Sequence, residues 1–264
     1  MDYFAHPAIS NSKLGWYKQS PAHFKYFQEH GTEDKAAYLI GSASHTILFE
    51  PKLFEYSYHV LDESERPEPD KDYRSPKNKQ WKEEQYEAYS HKSIITTKEY
   101  DTIMFMMEVI QKNDQAKEIL QGCEFEKEVF WTDPVTGLEC KKKVDISGTS
   151  HRADYKTTDN ADPYVWQKKA WRFDYYRQAG FYDLDEPKEF WFIAQEKTAP
   201  YGVSVHKCTP ELINYGKDES MKLLGQIKSC IDADFWPSYE IKTPIDKKQA
   251  WFDFDIARHV LEHI

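Results

Sequence analysis

Residues 126–158 read EKEVFWTDPVTGLECKKKVDISGTSHRADYKTT, and here the chain changes from long amphipathic runs to short runs separated by turn residues. Glu126 to Thr132, Leu138 to Ile146 and His151 to Lys156 read as strands, joined by turns at Asp133-Pro134-Val135-Thr136-Gly137 and Ser147-Gly148-Thr149. Glycine supplies the left-handed backbone that a tight reversal needs, and Asp and Ser bond their own backbone two residues on. Three antiparallel strands are the simplest arrangement. Because side chains alternate along a strand, Asp154 and Lys156 project from one face. Asp145 closes the second strand, nine residues before Asp154 across the second turn, and strand pairing brings the two carboxylates together.

Like charges that close repel unless a cation lies between them, and carboxylate oxygens in this arrangement suit Mg2+ or Mn2+. An Asp-x-Lys spacing also serves a plain structural ion pair, so spacing alone leaves both readings open.

Downstream, a helix is expected over Pro163 to Leu184, with Gln178 and Tyr182 on one face at i and i+4 and Gly180 between them. Two more strands follow, Glu189 to Gln195 and Gly202 to His206, and Thr209-Pro210-Glu211 opens a helix that ends near Ile231. Upstream, Ser10 or Asn11 caps a first helix and Pro21 opens a second through Phe27. A third is expected from about Asp34 to Phe49, placing Ala37, Ile40, Gly41, Ser44, His45 and Leu48 on one face, so that His45 points toward the core or a buried site. Residues 62–82 are polar, rich in proline and charge and without periodicity, which predicts a mobile loop. Thr96 and Glu99 form a capping box for a helix whose apolar stripe is Tyr100, Ile103, Met104, Met107 and Ile110.

These elements make one α/β domain over residues 1–264: a mostly helical part to 120, a core of strands and helix over 121–207, and a helical C-terminal part over 208–264. The 15 Phe, 18 Tyr and 8 Trp supply ample apolar bulk for a core, which excludes disorder of the whole chain. Cys123, Cys140, Cys208 and Cys230 form no Cys-x-x-Cys pair and are expected reduced, without zinc or an iron–sulfur cluster. No apolar run approaches the roughly 18 residues of a membrane span, and the N-terminus has no basic region followed by an apolar one, so a soluble cytoplasmic protein is expected. The net charge of −10 argues against a general nucleic-acid coat, yet charge is unevenly spread. Between Leu138 and Tyr182 nine cations face six anions, an excess of three, and the remainder carries −13. A polyanion would be held at this segment and repelled elsewhere.

The ordered set Gly41-x-x-x-His45, Asp145, Asp154-Tyr155-Lys156 and Gln178-x-x-x-Tyr182 resembles the PD-(D/E)XK nucleases, in particular their RecB-like branch. The segments Ile9 to Leu14, Ser20 to Phe24, Gly41 to Phe54, Phe130 to Cys140 and Asp154 to Thr158 extend the resemblance to the exodeoxyribonuclease VIII (RecE) nuclease domains and their prophage relatives, over roughly residues 9 to 207. The resemblance implies a PD-(D/E)XK core of αβββαβ type, with a mixed central sheet flanked by helices and an N-terminal helical extension. It further implies a metal-dependent exodeoxyribonuclease that digests linear double-stranded DNA processively from 5′ to 3′, releasing 5′-mononucleotides and leaving 3′ single strands for recombination by annealing. Asp145 and Asp154 would be metal ligands, completed by the Tyr155 carbonyl and the His45 imidazole. Lys156 would orient or deprotonate the attacking water, and Gln178 and Tyr182 would position the strand or brace the lysine. A ring-shaped homo-oligomer and a RecT-like single-strand annealing partner belong to the same expectation.

This chain departs from its relatives in two places: Lys143-Val144 precedes the first acid where Arg-Pro is usual, and the second acid is Asp154 where Glu is commoner. Ser10, Ser12 and Lys13 would hold a terminal 5′-phosphate, although capping accounts equally well for the serines. Lys141 to Lys143, Lys168, Lys169 and Arg172 are candidates for the phosphate backbone or simple solvated cations. Glu128 is read as solvent-facing. Two rival readings remain open: a nuclease-derived binding module without activity, and a related nuclease that cuts internally or prefers single strands.

Overall fold

A computed structural model describes residues 3–32 and 39–239. Helix α1 (Asn11–Gln19) is capped by Ser10, whose hydroxyl accepts from the Lys13 amide, and α2 (Pro21–His30) is capped by Ser20 with proline at the first helical position. Helix α3 is described over Leu39–Phe49, and the expected start near Asp34, with Ala37, lies outside the described residues. Three further short elements escaped the sequence reading: α4 (Pro51–Ser57), β1 (Tyr58–Leu61) and β2 (Ser93–Thr96), the strands pairing in parallel.

Residues 62–82 are not a structureless loop. A 3-10 turn (Glu63–Glu65) is followed by α5 (Pro76–Ala88), which begins inside the segment. Buried Asn78 organises what lies between: its Oδ1 accepts from the Glu68 amide while its Nδ2 donates to the carbonyls of Glu68, Lys71 and Asp72. One side chain thus supplies partners that periodicity cannot reveal.

Helix α6 (Thr97–Lys112) has the expected capping box, but Met106 rather than Met104 faces inward. Met106 is fully buried against Ser44 and its carbonyl accepts from Gln195 Nε2, whereas Met104 is 43% exposed. Docking on both α3 and the central sheet turns the stripe away from the position read from spacing. Helix α7 (Asp114–Leu120) leads into that sheet.

Its strands are β3 (Glu124–Thr132), β4 (Glu139–Ser147), β5 (His151–Thr158), β6 (Glu189–Glu196) and β7 (Val203–Lys207), lying in that order. All neighbours are antiparallel except β5 and β6, which are parallel and joined by a helical crossover. The sheet is therefore mixed. The crossover contains two helices, α8 (Pro163–Arg172) and α9 (Tyr175–Tyr182), where the sequence suggests one. The break falls at Asp174, in left-handed conformation (φ 56°), whose carboxylate accepts from Lys18 and Arg177 at 2.8 Å each. Ion pairing to α1, remote in sequence, accompanies a conformation that stops the helix. Helix α10 (Pro210–Ala233) packs on α9.

Helices on both faces of the sheet give two apolar clusters. Along β6, Phe190, Phe192 and Ala194 enter one cluster and Ile193 the other, the alternation a strand imposes. Strand β4 breaks that rule: Val144 packs in the first cluster and Ile146, two residues on, in the second. The irregularity centres on Asp145. All four cysteines are free thiols, and among the described residues no helix is long and apolar enough to cross a membrane.

Candidate metal centre

Strands β4 and β5 pair only at Ile146 with Ala153 and Ser147 with Arg152. Beyond Ala153 the strands separate, and side chains fill the fork. The Tyr155 amide donates to Asp145 Oδ2 at 3.0 Å, in place of a ladder bond. Because the N–H and C=O of a strand residue face the same side, the Tyr155 carbonyl also lies on the fork side of β5.

His45 enters from α3. Its Nε2 lies 3.0 Å from Asp145 Oδ2 and 3.4 Å from Glu126 Oε1. Gly41, one turn earlier, explains how the helix comes so near: a Cβ there would sit 2.8 Å from Thr157 Oγ1 on β5. Burial alone would lower the His45 pKa, but the hydrogen bond to Asp145 and the charges of Asp145, Glu126 and Asp154 outweigh it and raise it.

Asp154 and Lys156 share one face of β5 as expected, with Lys156 Nζ 2.5 Å from Asp154 Oδ2. Gln178 Nε2 donates to Asp154 Oδ1. Tyr182, one turn along α9, instead donates its hydroxyl to the Lys143 carbonyl at 2.9 Å, so it braces β4 while Gln178 braces β5. Gly180 sits between them for a packing reason. A Cβ there would lie 2.2 Å from the α10 backbone at Gly216, and one on Gly216 would lie 2.0 Å from the Tyr176 carbonyl. The two glycines let α9 and α10 meet backbone to backbone.

Electrostatics separate the two acids. Burial, followed by the charge of Asp145, pushes the Asp154 carboxyl up to about 6. Burial works the same way on Asp145, but the His45 hydrogen bond and charge, Lys156 and the Tyr155 amide overcome it and hold that carboxyl below its usual range. Desolvation would lower Lys156, yet Asp154 and Asp145 hold it firmly as an ammonium group. The Tyr175 ring lies 5.1 Å from its Nζ.

The donor set fits a divalent cation. Asp154 Oδ2 is buried and accepts no hydrogen bond of good geometry, and carboxylates, an imidazole and a strand carbonyl converge on one fork. His45, Glu126 and Asp145 each offer a ligand atom within 4.8 Å of the others. Asp154 lies beside this group, paired to Lys156 and Gln178. Glu126 was missed by the sequence reading, although counting back from the Asp133–Gly137 turn places it directly opposite Asp145. Glu128, read as solvent-facing, is exposed.

The basic candidates divide. Lys168 and Arg172 are exposed on α8, and Lys169 is half-buried, donating to Thr158 Oγ1 at 2.8 Å. Ser10 serves as the α1 cap, and buried Lys13 donates to the Pro7 carbonyl at 2.7 Å, while Ser12 is exposed beside them. Lys141 to Lys143 do not form a solvated backbone track. Lys141 is buried and donates to the carbonyls of Tyr3 and His6, Lys142 is buried on Asp185 and the Tyr182 carbonyl, and Lys143 pairs with Glu126 at 2.7 Å. Alternation still holds along this part of β4, but both faces are covered: Lys141 by the segment at Tyr3 and His6, and Lys142 by α9 at Tyr182.

Residues 10–243 match the family described as a PDDEXK-like domain of unknown function (DUF3799). No curated protein matches the chain. Among solved structures, the chain is similar to a putative exonuclease from Eubacterium rectale, at 13% identity and TM-score 0.57, with 91% of each chain covered. It is also aligned with an alkaline exonuclease (LHK-Exo) from Laribacter hongkongensis, at 10% identity and TM-score 0.30, covering 69% of this chain and 95% of that one. With the forked mixed sheet and the Asp145, Asp154 and Lys156 arrangement already in place, the match over nearly the whole chain identifies this protein as a member of the PDDEXK-like domain family, with the PD-(D/E)XK nuclease fold.

Proposed function

We propose that this chain is a cation-dependent exodeoxyribonuclease acting on the ends of linear double-stranded DNA. The observation that carries the reading is the fork itself: Asp145 with His45 on one side, the Asp154–Lys156 pair on the other, and a strand carbonyl between. His45, Asp145, Asp154 and the Tyr155 carbonyl would hold the cation. Mg2+, or Mn2+ in its place, would polarise the scissile phosphate and favour ionisation of the attacking water.

The chain's own groups do the rest. Lys156, held as an ammonium ion by the two carboxylates, donates hydrogen bonds to the attacking water and to the phosphate oxygens as negative charge builds there. That form steers the water and neutralises the phosphate. Gln178 fixes the Asp154 carboxylate and Tyr182 fixes the β4 backbone beside Lys143, so both are positioning residues. Lys168, Lys169 and Arg172 on α8 supply positive charge for the phosphate backbone, and Ser10, Ser12 and Lys13 lie near the chain start as candidates for the terminal phosphate.

The resemblance extends the proposal to processive 5′-to-3′ digestion that releases 5′-mononucleotides, to a ring-shaped homo-oligomer enclosing the duplex, and to a single-strand annealing partner in phage-type recombination. The relative from Eubacterium rectale, described as a putative exonuclease, shares the fold and is compatible with this activity. The test is digestion of end-labelled linear duplex beside covalently closed circles, with Mg2+ and with chelator. Loss of label from linear DNA alone, only with Mg2+, is expected. Intact DNA under every condition would favour the inactive binding module, and nicked circles would favour an internal cutter.

A further inference from the structure

Strand β3 contributes a carboxylate that the proposed ligand set does not use. The Glu126 side chain is only 8% exposed, and its Oε1 is buried without accepting a hydrogen bond. A buried carboxylate oxygen left without a hydrogen bond is costly, and native structures rarely keep one without a use. This oxygen lies 3.4 Å from His45 Nε2, and the ligand atoms of His45, Glu126 and Asp145 lie within 4.8 Å of one another. Three donors from α3, β3 and β4 thus converge on one point.

Two features hold Glu126 in that pose. Its other oxygen, Oε2, lies 2.7 Å from Lys143 Nζ, which lies 3.6 Å from Glu50 Oε2, so the carboxylate is fixed with Oε1 turned toward His45. Its backbone has φ 55° in the middle of a strand, where the register runs from Phe125 paired with Ile146 to Lys127 paired with Val144 and skips the Glu126 and Asp145 positions. The left-handed region is disfavoured for a residue with a Cβ, and such strain gathers at functional sites. Acids facing each other across paired strands repel, a cost that a shared cation removes.

We infer that Glu126 is a ligand of the bound cation, forming with His45 and Asp145 a mixed imidazole and carboxylate site whose charge Lys143 compensates in the absence of the ion. The inference rests on the cation-dependent reading of the fork and adds a ligand from β3. A divalent ion that accepts both nitrogen and oxygen, such as Mn2+, is the matching class.

The test is Mn2+ binding to the full chain without DNA, read from the free-ion electron paramagnetic resonance signal, with thermal unfolding in parallel. Glu126→Gln retains an acceptor for Lys143 but loses the charge, and its Mn2+ dissociation constant should rise tenfold or more. Lys143→Met leaves Glu126 uncompensated, so Mn2+ should raise its unfolding temperature by more than it raises that of the parent protein. An unchanged dissociation constant for Glu126→Gln, or a Lys143→Met temperature shift no larger than the parent's, overturns the inference. If Glu126→Gln does not fold, the Lys143→Met comparison decides alone. Absence of Mn2+ binding by the parent protein would remove the cation-dependent reading and this inference together, whereas parental binding indifferent to Glu126 removes only the latter.

Discussion

The Tyr155 amide donates to Asp145 Oδ2 at 3.0 Å, just past the last backbone pair between β4 and β5 at Ala153. A side chain takes over where the ladder stops. That substitution keeps the donor satisfied, opens the fork to His45 from α3, and leaves the Tyr155 carbonyl on the same side as Asp145. The acid is therefore both the wedge between the strands and the anchor of the candidate metal centre.

Lys156→Ala should lower DNA cleavage on the order of 100-fold or more while Mn2+ binding persists, because the lysine acts on developing charge. Asp154→Asn should lose both cleavage and part of the cation affinity. Calorimetric Mn2+ titration beside a cleavage assay separates the two variants, and full cleavage by either would remove the assigned roles.

Gly180→Ala should destabilise the fold by about 1–3 kcal/mol or more, since its Cβ would meet the α10 backbone at 2.2 Å and neither helix can yield without moving the other. Gly225→Ala, on the same α10, meets nothing within 4 Å and should stabilise by roughly 0.5–1 kcal/mol. Urea unfolding of the pair checks both signs.

Burial holds the Lys142 pKa down at about 8, against the 10.5 of a free lysine, despite its bond to Asp185. Between those values the unfolded chain binds the extra proton, so this group makes stability rise as pH climbs from about 8 toward 10.5 and adds a constant penalty below. Lys142→Met should flatten that part of the profile. Equal slopes for the two proteins in denaturant unfolding at stepped pH would show that Lys142 stays charged in the fold.

Asn78→Ala should strip partners from the amide of Glu68 and the carbonyls of Glu68, Lys71 and Asp72, at a local cost of about 1–3 kcal/mol. Hydrogen exchange should quicken around Glu68 while the amides of β5 keep their protection. Unchanged exchange at Glu68 would mean that other contacts hold the segment.

Local chemistry was legible wherever one short stretch decides the outcome. Ser10, Thr96 and Thr209 cap helices as read, because a cap needs only its own next three residues. The turn through Gly137 (φ 72°) and the common face of Asp154 and Lys156 follow from the same short-range rules. Where distant segments compete, reading failed: Asp174 breaks a helix where Lys18 reaches it, and Met106 replaces Met104 in the core beneath α3 and β6.

The order of elements, the strand hairpins and the residue types of the fork are properties of the chain read alone, since periodicity, turn chemistry and alternation act over a few residues. Which acid meets which partner is a property of the folded molecule. Asp145 sits with His45 and Glu126, and Asp154 with Lys156 and Gln178, because a helix approaches β5 at Gly41 and the strands part after Ala153. Those are distances between segments far apart in sequence, and only packing and the desolvation of buried charge set them.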